Sequence, residues 1–171
     1  MIDLNSLPLL ISLFAVVVST LSLGFAIYSW RQANRPIVTA RITAVDGGNV
    51  SIILNLVVEN TGNRPARDIR LIADSKTIIN AVVPTWKSGI PSDAQRCLLN
   101  GLSIPILVNG RSITNAFEYL SGVEGPWKPN AEIPIKIKYR DLGLRRFCCT
   151  VRLVLADDSG FAQSSWKPAS A

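Results

Sequence analysis

The chain has 171 residues, enough for one ordinary domain or a small domain plus a membrane anchor, and too few for two full-sized domains. Apolar residues make up 48% and charged residues 18%, with a positive mean hydropathy, a balance that excludes a disordered polypeptide. There is no histidine, which excludes His-based triads, His-ligated zinc or haem and imidazole general bases.

Residues 1–8 form a short N-terminal flank. Residues 9–30 (LLISLFAVVVSTLSLGFAIYSW) run for 22 positions without a charge. At about 1.5 Å per residue they span roughly 33 Å, the thickness of a bilayer core. The flank MIDLNSLP has no Lys or Arg, the apolar run is too long for a signal-peptide core, and no small-residue cleavage pattern closes it. The segment therefore reads as an uncleaved, single-pass transmembrane helix. Tyr28 and Trp30 belong at headgroup level, with Arg31 and Arg35 just beyond. Basic residues are absent before the helix, whereas Arg31, Arg35 and Arg41 follow it, so the positive-inside rule puts the N-terminus outside a plasma or inner membrane and residues 31–171 in the cytoplasm.

Ser12, Ala15, Ser19, Ser22, Ala26 and Ser29 recur at spacings of 3, 4, 3, 4 and 3, the seam of a left-handed helix pair. Small side chains along one stripe let two backbones approach in lipid, so a homo-oligomer or another membrane protein is an expected partner through the helix. Cys97, Cys148 and Cys149 give no tidy disulfide framework and read as reduced, mostly buried thiols; a Cys97–Cys149 bridge is the pairing open to an oxidising compartment. Three thiols without histidine make an incomplete metal set.

After a juxtamembrane linker at 31–36 the period changes to two, and residues 37–158 read as one β domain followed by a tail at 159–171. Residues 37–45 alternate, Asp46-Gly47-Gly48-Asn49 suits a tight turn, and residues 50–58 put Val50, Ile52, Leu54, Leu56 and Val58 on one face. Asn60 to Ala66 is a turn, and Asp68 to Ala73 resumes with Ile69 and Leu71 inward. Residues 76–83 and 98–108 read as strands, the second demoted to an edge by Pro105, with no helix of useful length between strands. Ser112 suits a helix cap while Asn109-Gly110 suits a hairpin, so 112–120 stays open. Residues 122–130 are a loop, and Trp86 and Trp127 are expected to pack on the domain. The clearest hairpin comes last: Ile133, Ile135, Ile137 and Tyr139 face inward from 133–140, and Phe147, Cys149, Val151, Leu153 and Leu155 from 146–155. Six or seven such strands without crossover helices predict an all-β, antiparallel two-sheet sandwich.

Asn60-x-Gly62-x-x-Pro65-Ala66 after a Val-rich strand, and Tyr139-x-Asp141-x-Gly143 leading to Phe147, resemble the turns of prokaryotic immunoglobulin-like and CARDB-like sandwiches. The resemblance implies an immunoglobulin-like fold and binding or assembly rather than catalysis, in a family context usually outside the cell.

Asp68, Asp74, Asp141, Asp157 and Asp158 are the candidate catalytic carboxylates, but turn chemistry accounts for such aspartates. Phosphate-cradling glycine loops, a nucleophile elbow and zinc-spaced thiols are all missing from the sequence, so neither a cofactor nor a metal is expected. Charge gives the binding idea. All 18 Lys and Arg follow residue 30 together with 11 of the 12 acids, so that portion carries +7. Lys136, Lys138, Arg140, Arg146 and Arg152 would share one exposed face, suited to anionic lipid headgroups of the bilayer. Nucleic acid is not expected, because stacking aromatics are not interleaved with these cations. The sequence thus reads as a membrane-anchored β-sandwich binding or assembly module, not an enzyme. Its alternatives are an extracytoplasmic adhesion-type domain and a membrane-tethered enzyme using carboxylates.

Overall fold

The computed structural model describes residues 7–46, 51–86, 89–121, 126–128 and 130–155. The chain divides into two compact units, one ending at Arg35 and the other beginning at Pro36. The first is a single helix, α1 (Leu7–Ala33), whose 27 residues extend beyond the expected 9–30 segment by two at the start and three at the end. Its Pro8–Ala33 stretch is long and apolar enough to cross a membrane. Large apolar side chains such as Phe14, Leu21 and Phe25 are about 70% exposed on it, a surface that water would not favour.

The second unit holds seven strands and two short helices. The strands are β1 (Val38–Asp46), β2 (Ser51–Asn60), β3 (Ala66–Ala73), β4 (Ser103–Leu107), β5 (Ser112–Ser121), β6 (Ala131–Arg140) and β7 (Arg146–Leu155); the helices are α2 (Ser75–Ala81) and α3 (Ser92–Leu98). All strand pairs are antiparallel, forming a three-stranded sheet in the order β1-β2-β5 and a four-stranded sheet in the order β4-β3-β6-β7. Inward residues of both sheets join one hydrophobic core, with Leu54, Leu56 and Val58 from β2 in the same cluster as Ile133, Ile135 and Ile137 from β6. Two sheets around a shared core make a sandwich.

β6 alternates without a break, its Ile133, Ile135 and Ile137 fully buried and Lys136 and Lys138 exposed. Burying each isoleucine stabilises the fold by about 2–3 kcal/mol. Pro134 fits here because β3 pairing stops at Ala73 opposite Ile135, which leaves the proline beyond the paired stretch on that side. Pro105 lies on β4, an edge strand, as its missing donor demands. At one side of the sandwich the Cys149 thiol donates to the Val38 carbonyl at 3.4 Å, and the Tyr139 hydroxyl donates to the Pro36 carbonyl at 3.3 Å.

Several expectations need correction. Residues 76–83 are not a strand: α2 occupies most of them, its N-terminus capped by Asp74, which accepts from the Lys76 backbone N–H at 3.3 Å. Ile78 and Ala81 are its buried pair, at the i, i+3 spacing of a helix face. Residues 98–102 are likewise not strand, since α3 ends at Leu98 and β4 begins only at Ser103. In α3 the buried set is Ala94, Cys97 and Leu98, so two helices do interrupt the strands. Residues 112–120 belong to β5, and Asn109-Gly110 does not close a hairpin, because β4 and β5 lie in different sheets. Gly110, at φ +68, turns the chain from one sheet to the other and donates to the Asn60 carbonyl at 2.8 Å. The expected turn at Gly47-Gly48-Asn49, Val50, residues 122–125 and 129 of the expected loop, residues 156–158 and the expected tail at 159–171 lie outside the described residues.

Candidate functional site

The outer face of the four-stranded sheet gathers the cations. β6 and β7 pair with Lys138 opposite Cys148, Arg140 opposite Arg146, Lys136 opposite Thr150 and Pro134 opposite Arg152. The five residues anticipated from the hairpin thus project from one face, four of them exposed and Arg140 half-buried. Two cations the hairpin alone does not reveal lie beside them on β3, with Arg67 opposite Arg140 and Arg70 opposite Lys138. Both are exposed. Their only sequence signal is the exposed phase of β3, and the pairing of β3 with β6, strands distant in sequence, brings them into the cluster.

A bulge shapes this surface. From Arg67 to Arg70, three steps along β3, the partner β6 advances only two, from Arg140 to Lys138. Asp68 takes the extra position at φ 52, left-handed backbone that Asp tolerates better than most residues. Ala66 and Ile69, three positions apart, would point to opposite faces of a regular strand, and the bulge is what lets both be buried. The Asp68 carboxylate lies 4.0 Å from Arg140, and Glu132 pairs with Arg152 at 3.4 Å. Among the described residues Arg70, Lys138 and Arg146 have no carboxylate within 4.0 Å. Asp68, Arg70, Lys138, Arg140, Arg146 and Cys148 line a concavity of about 560 Å³ on this face.

All three cysteines are free, so no Cys97–Cys149 bridge forms. Cys97, on α3, sits against β5, where it accepts from the Asn115 side-chain amide at 3.3 Å. Burial pushes its thiol up from the ordinary value, opposed by that hydrogen bond. Burial, and then Cys148, push the half-buried Cys149 up as well. Cys148 lies on the outward phase of β7 with Arg146 and Arg152, as the alternation of the strand implies, and is exposed on the cationic face.

The candidate carboxylates serve the fold. Asp68 forms the bulge and Asp74 caps α2. Asp141 is 7% exposed, and its carboxylate accepts from the Arg145 backbone N–H at 2.9 Å to close the β6–β7 turn. A Cβ at position 143 would meet that carboxylate oxygen at 3.3 Å, so Asp141-x-Gly143 is one packing unit. Asp157 and Asp158 lie outside the described residues. Among the described residues, no group of three or more Cys, Asp or Glu is placed to hold a metal ion.

On α1, Tyr28 and Trp30 are exposed near the C-terminal end, followed by exposed Arg31 and Arg35. Ser12, Ala15, Ser19, Ser22, Ala26 and Ser29 occupy one continuous helix. The Ser12 and Ser19 hydroxyls donate to the Leu9 and Ala15 carbonyls at 2.8 Å, so these two contribute smoothness rather than free donors. Trp127 is packed, stacked on Phe117 at 5.4 Å and 7% exposed, while Trp86 is 38% exposed.

The family model described as a domain of unknown function, DUF8453, matches residues 6–156, which takes in α1 together with all seven strands. The chain belongs to this DUF8453 family. No curated protein matches the sequence.

Proposed function

We propose that this DUF8453 protein is a single-pass membrane protein whose immunoglobulin-like sandwich is a binding or assembly module without a catalytic role. The N-terminus lies outside, the sandwich lies in the cytoplasm, and the outer face of the four-stranded sheet engages anionic lipid headgroups. The observation that carries this reading is the clustering of Arg67, Arg70, Lys136, Lys138, Arg140 and Arg146 on one sheet face, with Asp68 as the acid set among them. Each such cation near an anionic leaflet contributes about 1 kcal/mol. Only residues 34–37 separate α1 from β1, a tether of about 14 Å at full extension.

Strand order supports the immunoglobulin-like part. The β1-β2-β5 sheet and the β3-β6-β7 portion of the other correspond to strands A-B-E and C-F-G, with β4 moved from beside β5 to beside β3. The small-residue stripe of α1 supports helix association as the assembly contact.

Cys148 is a native reporter of the face. In nanodiscs holding the full-length protein, maleimide labelling of Cys148 should slow several-fold when neutral lipid is replaced by an anionic mixture, and recover in high salt as charge is screened. Reversing Lys136, Lys138 and Arg140 to Glu should abolish the slowing. Equal labelling of the unaltered protein in both lipids would contradict the reading.

A further inference from the structure

The charge on this face is concentrated on two neighbouring rungs of the sheet. One carries Arg67, Arg140 and Arg146 side by side on β3, β6 and β7, and the next carries Arg70, Lys138 and Cys148. Side chains directly opposed on a sheet stand about 5 Å apart, where like charges repel. The concavity at these rungs sets four cations, Arg70, Lys138, Arg140 and Arg146, against the single carboxylate of Asp68, a net charge of +3. A singly charged headgroup neutralises little of that. A terminal phosphate brings nearly two charges at neutral pH and three acceptor oxygens, which the planar forks of three arginines can meet in pairs. The volume of about 560 Å³ admits a whole headgroup rather than a bare ion.

We propose that this concavity binds the terminal phosphomonoester of a membrane lipid, phosphatidic acid being the simplest case. The site rests on the headgroup reading and narrows it from surface attraction to a built pocket, with the bulge at Asp68 setting its rim. A free phosphate ester has the same chemistry. The tethered chain meets its phosphate in the bilayer, so the lipid is the occupant.

The test uses the full-length protein in nanodiscs of matched surface charge, containing either phosphatidic acid or phosphatidylglycerol, read by the rate of Cys148 labelling. Phosphatidic acid should protect Cys148 about tenfold better than phosphatidylglycerol. Replacing Arg70 and Lys138 together (R70Q, K138Q) should erase that ratio. Removing the same charge elsewhere (R41Q, R96Q) should preserve it. All four side chains are exposed, so unchanged melting of the variants separates lost binding from lost folding. Equal protection by both lipids would overturn the pocket while leaving surface attraction standing, and protection by neither would overturn both. Glycerol 3-phosphate protecting Cys148 in neutral nanodiscs as strongly as phosphatidic acid does would overturn the membrane-borne source.

Discussion

Replacing Asn60 with alanine should destabilise the sandwich by about 3 kcal/mol, a fall in Tm on the order of 12 °C for a domain of this size. The residue is 1% exposed, and all four capacities of its side-chain amide are used. Its Nδ2 donates to the carbonyls of Arg64 at 2.7 Å and Leu107 at 3.1 Å, while its Oδ1 accepts from the backbone N–H groups of Ile37 at 3.2 Å and Gly62 at 3.1 Å. Asn60 ends β2 in one sheet and Leu107 ends β4 in the other, so the amide braces the two sheets where β1 also begins. Alanine leaves those partners without their hydrogen bonds, and the cost of burying unmet polar groups exceeds the value of the bonds themselves. Asn60→Asp keeps the shape and should be no milder, because a carboxylate then faces two carbonyl oxygens. Thermal melts of the full-length protein in detergent, followed by tryptophan fluorescence, check both. An Asn60→Asp variant as stable as the parent would show that shape rather than hydrogen bonding matters here.

Phe117→Ala should cost still more, about 4 kcal/mol, as truncation of a fully buried aromatic does. Between β2 and β5 the register passes from Leu54 opposite Glu118 to Asn55 opposite Ala116, so Phe117 is the extra residue of a bulge. The five residues before it are exposed, and the bulge turns the phenyl ring into the core, where it stacks on Trp127 at 5.4 Å. Its loss removes a core side chain and one wall of the Trp127 site. Phe117→Leu retains most of the buried area and should cost about half as much. Urea titration checks the pair, and equal midpoints for the two variants would mean that the ring itself contributes nothing.

These two positions also mark where the sequence stops being legible. Asn60 looks like one more turn residue, since nothing local reveals that Leu107, 47 positions later, ends beside it. Phe117 breaks the alternation of its strand, because a bulge shifts the phase on which a period of two depends. α2 is hidden by Thr77, Ile78 and Ile79, branched residues that favour strands, although Asp74 as cap and the Ile78/Ala81 spacing were signals of a helix. By contrast α1 is plain from its uncharged length, and β6 with β7 from strict alternation across a short turn. The cationic face is half legible for the same reason. Its β6 and β7 members are neighbours in a hairpin, whereas Arg67 and Arg70 join it through pairing of sequence-distant strands.

The proposed function requires α1 to hold the chain in a membrane with the sandwich on the cytoplasmic side, where anionic lipid would face the basic sheet. Cys148, exposed on that sheet, reports its compartment directly. A membrane-impermeant maleimide applied to intact cells expressing the full-length protein should leave Cys148 unmodified and should label it once the membrane is permeabilised. Labelling of Cys148 in intact cells would place the sandwich outside and contradict the account.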